Sequence, residues 1–589
     1  MSRGGEACDT TMSSGITRRT RSDRVASLTL RHGRLERLVQ QLQERETWLR
    51  IALFAGCLTL LCLVTRAWSP PFSFRSGYIP QRNIVARVDF SVTSERQGTQ
   101  EFSPGDVLAA RNVPLSVEDV QLLHAEYLVV CSRTSALQRL LYVVGRLGLY
   151  SAILLLCGCY VHVHHAGVLQ DFQAYSRILV TATLTVTVAM LAARDAWRAE
   201  IIPVVLFGMT IAIAHHRELA LLLSIAVGLM IAVALGQPLA DFLILLAGAA
   251  APVLMLNRIR TRTKLIHVGL AGAAVVFLTA ICSGLAIGQT SGFAQSTRLS
   301  LPDGLQLLAP ADFHLRLLAG AGWYALCVVL SGFLMTGLLP FTERLFGAPT
   351  DISLLELGDA ANPLLQELAH RAPGTYNHSI NVASLAEAAA EAIGANGLLV
   401  RVGAYFHDIG KMLKPNYFVE NQSDRRSQHE SLMPAMSTLV IIAHVKDGAN
   451  LGRQHHLPQA IIDFIEQHHG TTLVEYFYRQ AEKRHEADPE GGPIDETSYR
   501  YPGPKPQTKE IAVLMLADAV EGASRTLVEP TPSRIEGLTH ELLMKRLLDG
   551  QFDECGLTLR ELHLVEERLV KSLTAVYHAR VKYPTQQTA

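Results

Sequence analysis

A set of histidines and aspartates in the C-terminal half falls at unusual places on helical patterns. His378 opens one helix, His407-Asp408 ends the next, His444 follows Val440 and Ile441 on a helix face, and His468-His469 ends another. Asp518 shares a face with the apolar Ile511, Leu514 and Met515. A buried, unpaired carboxylate there costs on the order of several kcal/mol, and a metal ion removes that difficulty. Imidazole and carboxylate ligands suit iron, manganese or zinc. Two such ions about 3.5–4 Å apart can clamp the attacking and leaving oxygens of a phosphoryl displacement. A carboxylate can bridge two ions whereas an imidazole nitrogen serves one, so the adjacent His-Asp pair suits a dinuclear centre. Any single histidine has many structural uses, but the joint pattern of His, His-Asp, His, His-His and Asp points to a metal-dependent hydrolase.

The elements that must position these residues are helices. From Phe341 onward helical patterns alternate with Gly and Pro punctuation: 379–393 is Ala-rich and stops at Gly394, 398–409 stops at Gly410, and 458–469 stops at Gly470. A further helix over 508–523 carries Asp518. This half reads as all-α.

The rest of the chain is of another kind. Of 589 residues only 18% are charged, against roughly 25% in a typical soluble protein. The shortfall lies between about 140 and 340. Apolar runs at 51–65, 140–161, 178–193, 201–214, 219–236, 242–257, 265–288 and 317–340 read as eight membrane spans, the short ones completed by their flanks. The spans hold few ionisable groups near mid-membrane, which counts against a transporter. The basic loop Arg258, Arg260, Arg262, Lys264 and the arginine-rich residues 1–48 fall on the same side of an eight-span count, the cytoplasmic side. Arg194 and Arg198 fall outside and count mildly against it. With 53 basic and 53 acidic residues, nothing draws the whole chain to nucleic acid. The nine cysteines form neither a disulfide nor a zinc pattern.

The domains expected are a partly disordered basic segment (1–48), a first transmembrane helix (49–67), a short extracytoplasmic domain (68–138), a seven-helix membrane domain (139–340), a neck helix (341–375) and a catalytic domain (376–589). In the external domain, 84–90 is strand-like and 116–130 helical, with Ser116, Glu118 and Asp119 as a helix start.

The set His378, His407-Asp408 and Asp518 resembles the metal set of the HD phosphohydrolase superfamily. Longer strings add specificity: Ala-Pro-Gly-Thr-Tyr-Asn-His over 372–378, Phe-His-Asp-Ile-Gly-Lys over 406–411, His-His-Gly-Thr over 468–471 and Tyr-Pro-Gly-Pro-Lys-Pro over 501–506. With seven spans ahead of them, these resemble the bacterial seven-transmembrane HD family of cyclic di-AMP phosphodiesterases. The resemblance implies a multi-pass protein of the bacterial inner membrane. Its cytoplasmic site would cut cyclic di-AMP to linear pApA by attack of a hydroxide bridging two divalent ions, iron or manganese. His378, His407, Asp408 and Asp518 would hold one ion, and Asp408 would bridge to the second, held by His444, His468 and His469. Lys411 could offset phosphate charge, and Tyr417 and Asn421 are weaker substrate contacts. His370, His429, His455 and His456 fit no metal position and read as surface residues.

Three departures from the family's pattern stand out. The external segment is short, Arg371 stands where an acidic residue usually precedes the Ala-Pro-Gly-Thr-Tyr string, and 480–500 looks like an insertion. An HD phosphohydrolase acting on cyclic di-GMP, guanosine tetraphosphate or a deoxynucleotide remains an alternative, as does a non-catalytic nucleotide receptor. The HD-GYP type is disfavoured because no Gly-Tyr-Pro string follows His468-His469. The metal's identity, an extracytoplasmic ligand and homo-oligomerisation stay open.

Overall fold

The computed structural model describes residues 45–94, 98–194, 197–256, 259–288, 313–422, 428–487 and 494–578. The basic segment up to residue 44, Arg258, residues 289–312, expected on the outer side, and the middle of the expected insertion, 488–493, lie outside the described residues.

Eight apolar helices coincide, to within a few residues, with the eight expected runs. Six are long and apolar enough to cross a membrane: α1 (Arg45–Val64), α3 (Ala136–His164), α5 (Phe172–Ala192), α7 (Arg217–Leu235), α9 (Arg262–Ile287) and α10 (Phe313–Phe346). Two stay short: α6 (Ile201–Ala214) and α8 (Leu239–Met255), so flanks do not complete them, and the five-residue α4 (Ala166–Gln170) links α3 to α5. At 14 residues α6 reaches only about 21 Å, against a hydrocarbon core of about 30 Å. It is tolerated because it lies inside the bundle, with Val204, Val205, Met209 and Ile211 all buried. The outer helices turn Leu156, Leu184 and Leu278 outward, as a lipid-facing surface requires. Helices α9 and α10 meet at small residues: a Cβ added to Gly269 would sit 3.1 Å from the Gly332 Cα. Such close backbone approach is how membrane helices gain packing where water cannot drive it.

Between α1 and α3 lies the small unit expected to be extracytoplasmic. Ser116 caps α2 (Val117–Arg133) in a reciprocal capping box with Asp119. The strand expected over 84–90 is split: β1 (Ile84–Val85) pairs with β4 (Val107–Ala109), and β2 (Phe90–Ser94) pairs with β3 (Gly98–Phe102). The run breaks between them because Arg87 N donates to Glu126 Oε1 at 2.6 Å instead of to a neighbouring strand.

The single neck helix expected over 341–375 is instead several pieces. Helix α10 runs on to Phe346, Gly347 turns with φ 67°, and α11 (Asp351–Leu357) and α12 (Pro363–Arg371) follow. Gly347 and Pro349 break the helix, and Asn362 restarts it by accepting from Leu364 N. Glu343 clamps the break, accepting from Thr350 N at 3.0 Å and from Ser353 Oγ at 2.6 Å.

The all-α domain that follows packs α13 (Pro373–Ala392) against α14 (Gly397–Phe406), α18 (Lys509–Ser524) and α20 (Leu559–His578). Its core holds Val382, Ala386, Phe464, Leu514 and Val565. Helices α15 (Pro434–Gln454), α16 (Gln459–Gln467), α17 (Glu475–Ala487) and α19 (Pro532–Leu548) complete it.

Candidate metal centre

The catalytic candidates come from five helix ends and faces that converge. His378 lies on α13, His407 caps α14, Asp408 opens the 3-10 turn Ile409–Leu413, and His444 lies on α15. His468 caps α16 with His469 beside it, and Asp518 lies on α18. Gly410 permits this convergence, since a Cβ there would lie 2.0 Å from His444 O.

Two groups of ligand atoms each lie within 4.8 Å: His378, His407 and Asp408, and then Asp408, His444, His468 and His469. Asp408 belongs to both, so all seven residues expected from sequence meet in one place, with Asp518 against the first group. Its Oδ1 is 2.9 Å from His378 Nε2 and 3.7 Å from His407 Nε2, and its Oδ2 is 4.0 Å from His469 Nδ1.

The imidazoles are aimed by their other nitrogens. Nδ1 of His407 faces Ala404 O at 2.7 Å, that of His444 faces Ile441 O at 2.5 Å, and that of His468 faces Ile465 O at 2.9 Å. A carbonyl only accepts, so each Nδ1 carries the proton and each Nε2 turns toward Asp408. His378 is oriented by Glu521, whose Oε2 accepts from Nδ1 at 2.6 Å. Glu521 is itself held by Arg525 Nη2 at 2.6 Å.

Asp408 is 1% exposed, yet neither of its carboxylate oxygens makes a hydrogen bond, and His407 Nε2 makes none either. Lys411 Nζ lies 2.6 Å from Asp408 Oδ2 as an ion pair outside hydrogen-bond angles. Orphaned atoms on buried charged groups are costly, and a shared cation satisfies them. The residues therefore fit a metal centre.

The electrostatics differ between the two groups. Burial pushes the His407 pKa down, but Asp408 and Asp518 beside it outweigh burial and carry it up to about 10. Against burial, His407 and Lys411 hold Asp408 well below the carboxylate range, and His378 and His407 do the same for Asp518. Burial drives His444 down to about 3 and His469 well below its ordinary value. Asp408 and Asp518 therefore draw a cation to the first group, and in the second burial holds His444 and His469 neutral.

A cavity of about 320 Å³ opens on the cluster, lined among others by Lys411, Glu420, His469, Asp518 and Arg546. Lys411 also pairs with Glu420 Oε1 at 3.0 Å, and the two acids keep it charged despite burial. Arg546 has a buried Nε without a hydrogen-bond partner.

Two expected substrate contacts do not line this cavity. Asn421 braces the start of α13, its Oδ1 accepting from Thr375 N at 3.1 Å and its Nδ2 donating to Thr375 Oγ1 at 2.8 Å. Tyr417 lines a neighbouring cavity of about 520 Å³ with Tyr476 and Phe477, and Val419 and Glu420 form the wall shared by both cavities. His429, expected at the surface, is half-buried between the Tyr417 and Phe477 rings. Sequence reasoning missed Glu521 and Arg546. Glu521 lies three residues after Asp518, a spacing that puts both on one helix face; nothing in the spacing around Arg546 marks it.

Residues 375–523 match the HD domain family, and residues 140–350 match the family described as 7TM receptor with intracellular HD hydrolase. The cyclic-di-AMP phosphodiesterase PgpH of Bacillus subtilis is 42% identical over 336 residues, 56% of this chain and 43% of that one. The protein of the same name from Listeria monocytogenes is 47% identical over 259 residues, 43% of this chain and 35% of that one. The chain thus spans less than half the length of these curated relatives. A crystal structure of the L. monocytogenes PgpH HD domain in complex with cyclic-di-AMP is 48% identical and covers 37% of this chain and 100% of that one, with a TM-score of 0.35.

Proposed function

We propose, from a seven-transmembrane receptor region and an HD domain joined in one membrane protein, that this chain is a metal-dependent phosphodiesterase hydrolysing cyclic di-AMP to linear pApA. The observation that carries this reading is the pair of ligand groups sharing Asp408, a buried carboxylate with both oxygens orphaned. The substrate rests on the 42% and 47% identity to proteins named for that activity.

In this reading His378, His407, Asp408 and Asp518 hold one divalent ion, and Asp408, His444, His468 and His469 hold a second; iron or manganese suits the donor set. When bound, the ions supply Lewis acidity, drawing charge from the phosphate and making water acidic enough to react near neutral pH. The chain's own residues do the rest. Lys411 and Arg546 offset the phosphate's charge. Backbone carbonyls and Glu521 keep the imidazoles aimed. Tyr417, Tyr476 and Phe477 offer faces on which an adenine can stack beyond the shared wall, whereas Asn421 acts as a brace for Thr375.

The domain limits given above are part of the same reading, with residues 1–48 and the HD domain on the cytoplasmic side of the bacterial inner membrane. Arg260 of the basic loop lies 3.4 Å from Asp351 after the neck break, which supports a common side for loop and neck.

The test is hydrolysis of cyclic di-AMP by the purified full chain with manganese or ferrous iron, beside an Asp408→Ala control. Cleavage to pApA, lost in the control, is the expected result. Turnover of cyclic di-GMP or guanosine tetraphosphate instead would overturn the substrate while keeping the metal chemistry. Bound metal without turnover of any of them would make the chain a receptor.

A further inference from the structure

His469 is held differently from the other cluster imidazoles. Backbone carbonyls aim His407, His444 and His468, and Glu521 aims His378. Among the described residues the His469 ring makes no hydrogen bond, and its Nδ1 stands 4.0 Å from Asp518 Oδ2. What it touches is other rings. Those of His468 and His444 have centroids 4.0 and 5.2 Å away, and both belong to the cluster themselves. The third is Tyr501, 4.3 Å away and tilted by only 30°. Rotation about χ2 of a histidine is broad and roughly two-fold. A ring with no hydrogen-bonded nitrogen therefore needs a flat neighbour to limit its turning, and offset stacking on an aromatic ring supplies one.

Tyr501 is itself held by the backbone around it. It opens the Tyr-Pro-Gly-Pro-Lys-Pro string over 501–506, whose prolines lock φ at every second residue. The chain just ahead of the string pairs with the chain just after His469. Leu473 bridges Arg500, Val474 N donates to Tyr499 O at 2.9 Å, and Tyr501 N donates to Thr472 O at 3.0 Å. Arg500 Nη1 donates to Thr471 O at 2.9 Å, and beyond the string Gln507 N donates to Gln467 Oε1 at 3.0 Å. These ties bracket His468-His469 on both sides. Tyr501 is 8% exposed, and its hydroxyl makes no hydrogen bond among the described residues. What it brings to the cluster is the flat face of its ring.

We infer that Tyr501 is the positioning residue for the second ion, its ring fixing His469 against rotation at the end of α16. This rests on the two-ion reading proposed above. Tyr501 also stands edge-on to His444 at 6.2 Å, and both histidines belong to the group of Asp408, His444, His468 and His469. Loss of the ring should therefore reach the second ion and spare the first.

The full chain in nanodiscs is titrated with manganese alone. Bound metal is counted by mass spectrometry beside the EPR spectrum, in which a spin-coupled pair differs from a single ion. The parent chain and Tyr501→Phe, which keeps the ring, should both take up the second ion. Tyr501→Met fills similar space without a flat face and should hold the second ion about 10–100-fold more weakly, with the first unchanged. Thermal unfolding of the metal-free chains shows whether each variant folds. If Tyr501→Met does not, Arg500→Gln carries the test: it cuts the tie to Thr471, keeps the ring, and should weaken the second ion by a smaller factor. Parent-like uptake of the second ion by a folded Tyr501→Met, or by Arg500→Gln in its place, overturns the inference. So does a loss in Tyr501→Phe as large as in Tyr501→Met, or an equal loss of both ions. A parent chain that takes up no second ion would overturn the two-ion reading, and this inference with it.

Discussion

In the proposed reading, Glu521 sets how well His378 can serve as a ligand, because it fixes the ring through Nδ1 while Nε2 faces Asp518. Glu521→Gln should therefore lower metal affinity about 10–100-fold, read as metal content after dialysis, with hydrolysis restored by excess metal. A purely structural role would leave metal affinity unmoved. Arg546→Gln should act differently, raising KM for the dinucleotide roughly tenfold or more while metal content stays constant, since a charged contact is worth about 1.5–3 kcal/mol. The seven cluster residues were legible in the sequence because His and Asp at helix ends and on apolar helix faces are conspicuous by type. Glu521 was not, because an acid on a helix usually marks a solvated face, and only the fold turns this one inward. Tyr417 and Asn421 follow the same logic in reverse: the loop after Lys411 is short, but its path carries Tyr417 round to a second cavity.

At the scale of elements, Gly410 lets the 3-10 turn lie directly against α15. Gly410→Ala places a methyl against His444 O and Gly448 N. The two elements must separate, costing about 1–3 kcal/mol and carrying His444 away from Asp408. Lower Tm and loss of bound metal together would check this. Helix α20 is tied to α18 by Lys509 and Glu561, 2.6 Å apart. Hydrogen bonding from Lys509, and then from Thr558, holds the Glu561 carboxyl at about 2, below its usual 4.5. A depressed carboxylate stabilises the fold while ionised, so this contribution is complete above pH 4.5 and fades as pH falls from 4.5 toward 2. Denaturant titrations across that window should show Glu561→Gln losing less stability than the parent chain. Helix starts and stops could be read from Gly, Pro and Ser punctuation. The neck was misread because apolar periodicity resumes after Gly347 and hides the break.

For the whole molecule, hydropathy located the eight apolar helices but could not reveal that α6 and α8 stay short, since composition does not report which neighbours enclose a segment. Helix α6 leaves room for polar groups at both ends, Arg198 and Glu200 on one side and His215 and His216 on the other. Between the bundle and the HD domain, Glu343 clamps the break after α10. Glu343→Ala should loosen it, and hydrogen exchange over 351–371 should quicken while the core of the HD domain keeps its protection. Trp323 and Glu343 lie 20 residues apart on α10, about 30 Å along its axis. In mechanical terms α10 is a 34-residue rod with a clamp at its C-terminal end. Axial push is lost at Gly347, whereas torsion swings the Glu343 carboxylate round against Thr350 and Ser353. What one end of α10 can pass to the other is then an angle. One alanine inserted after Leu338 turns the far end by about 100° and should disengage that clamp, whereas seven inserted residues, close to two full turns, should bring it back into phase.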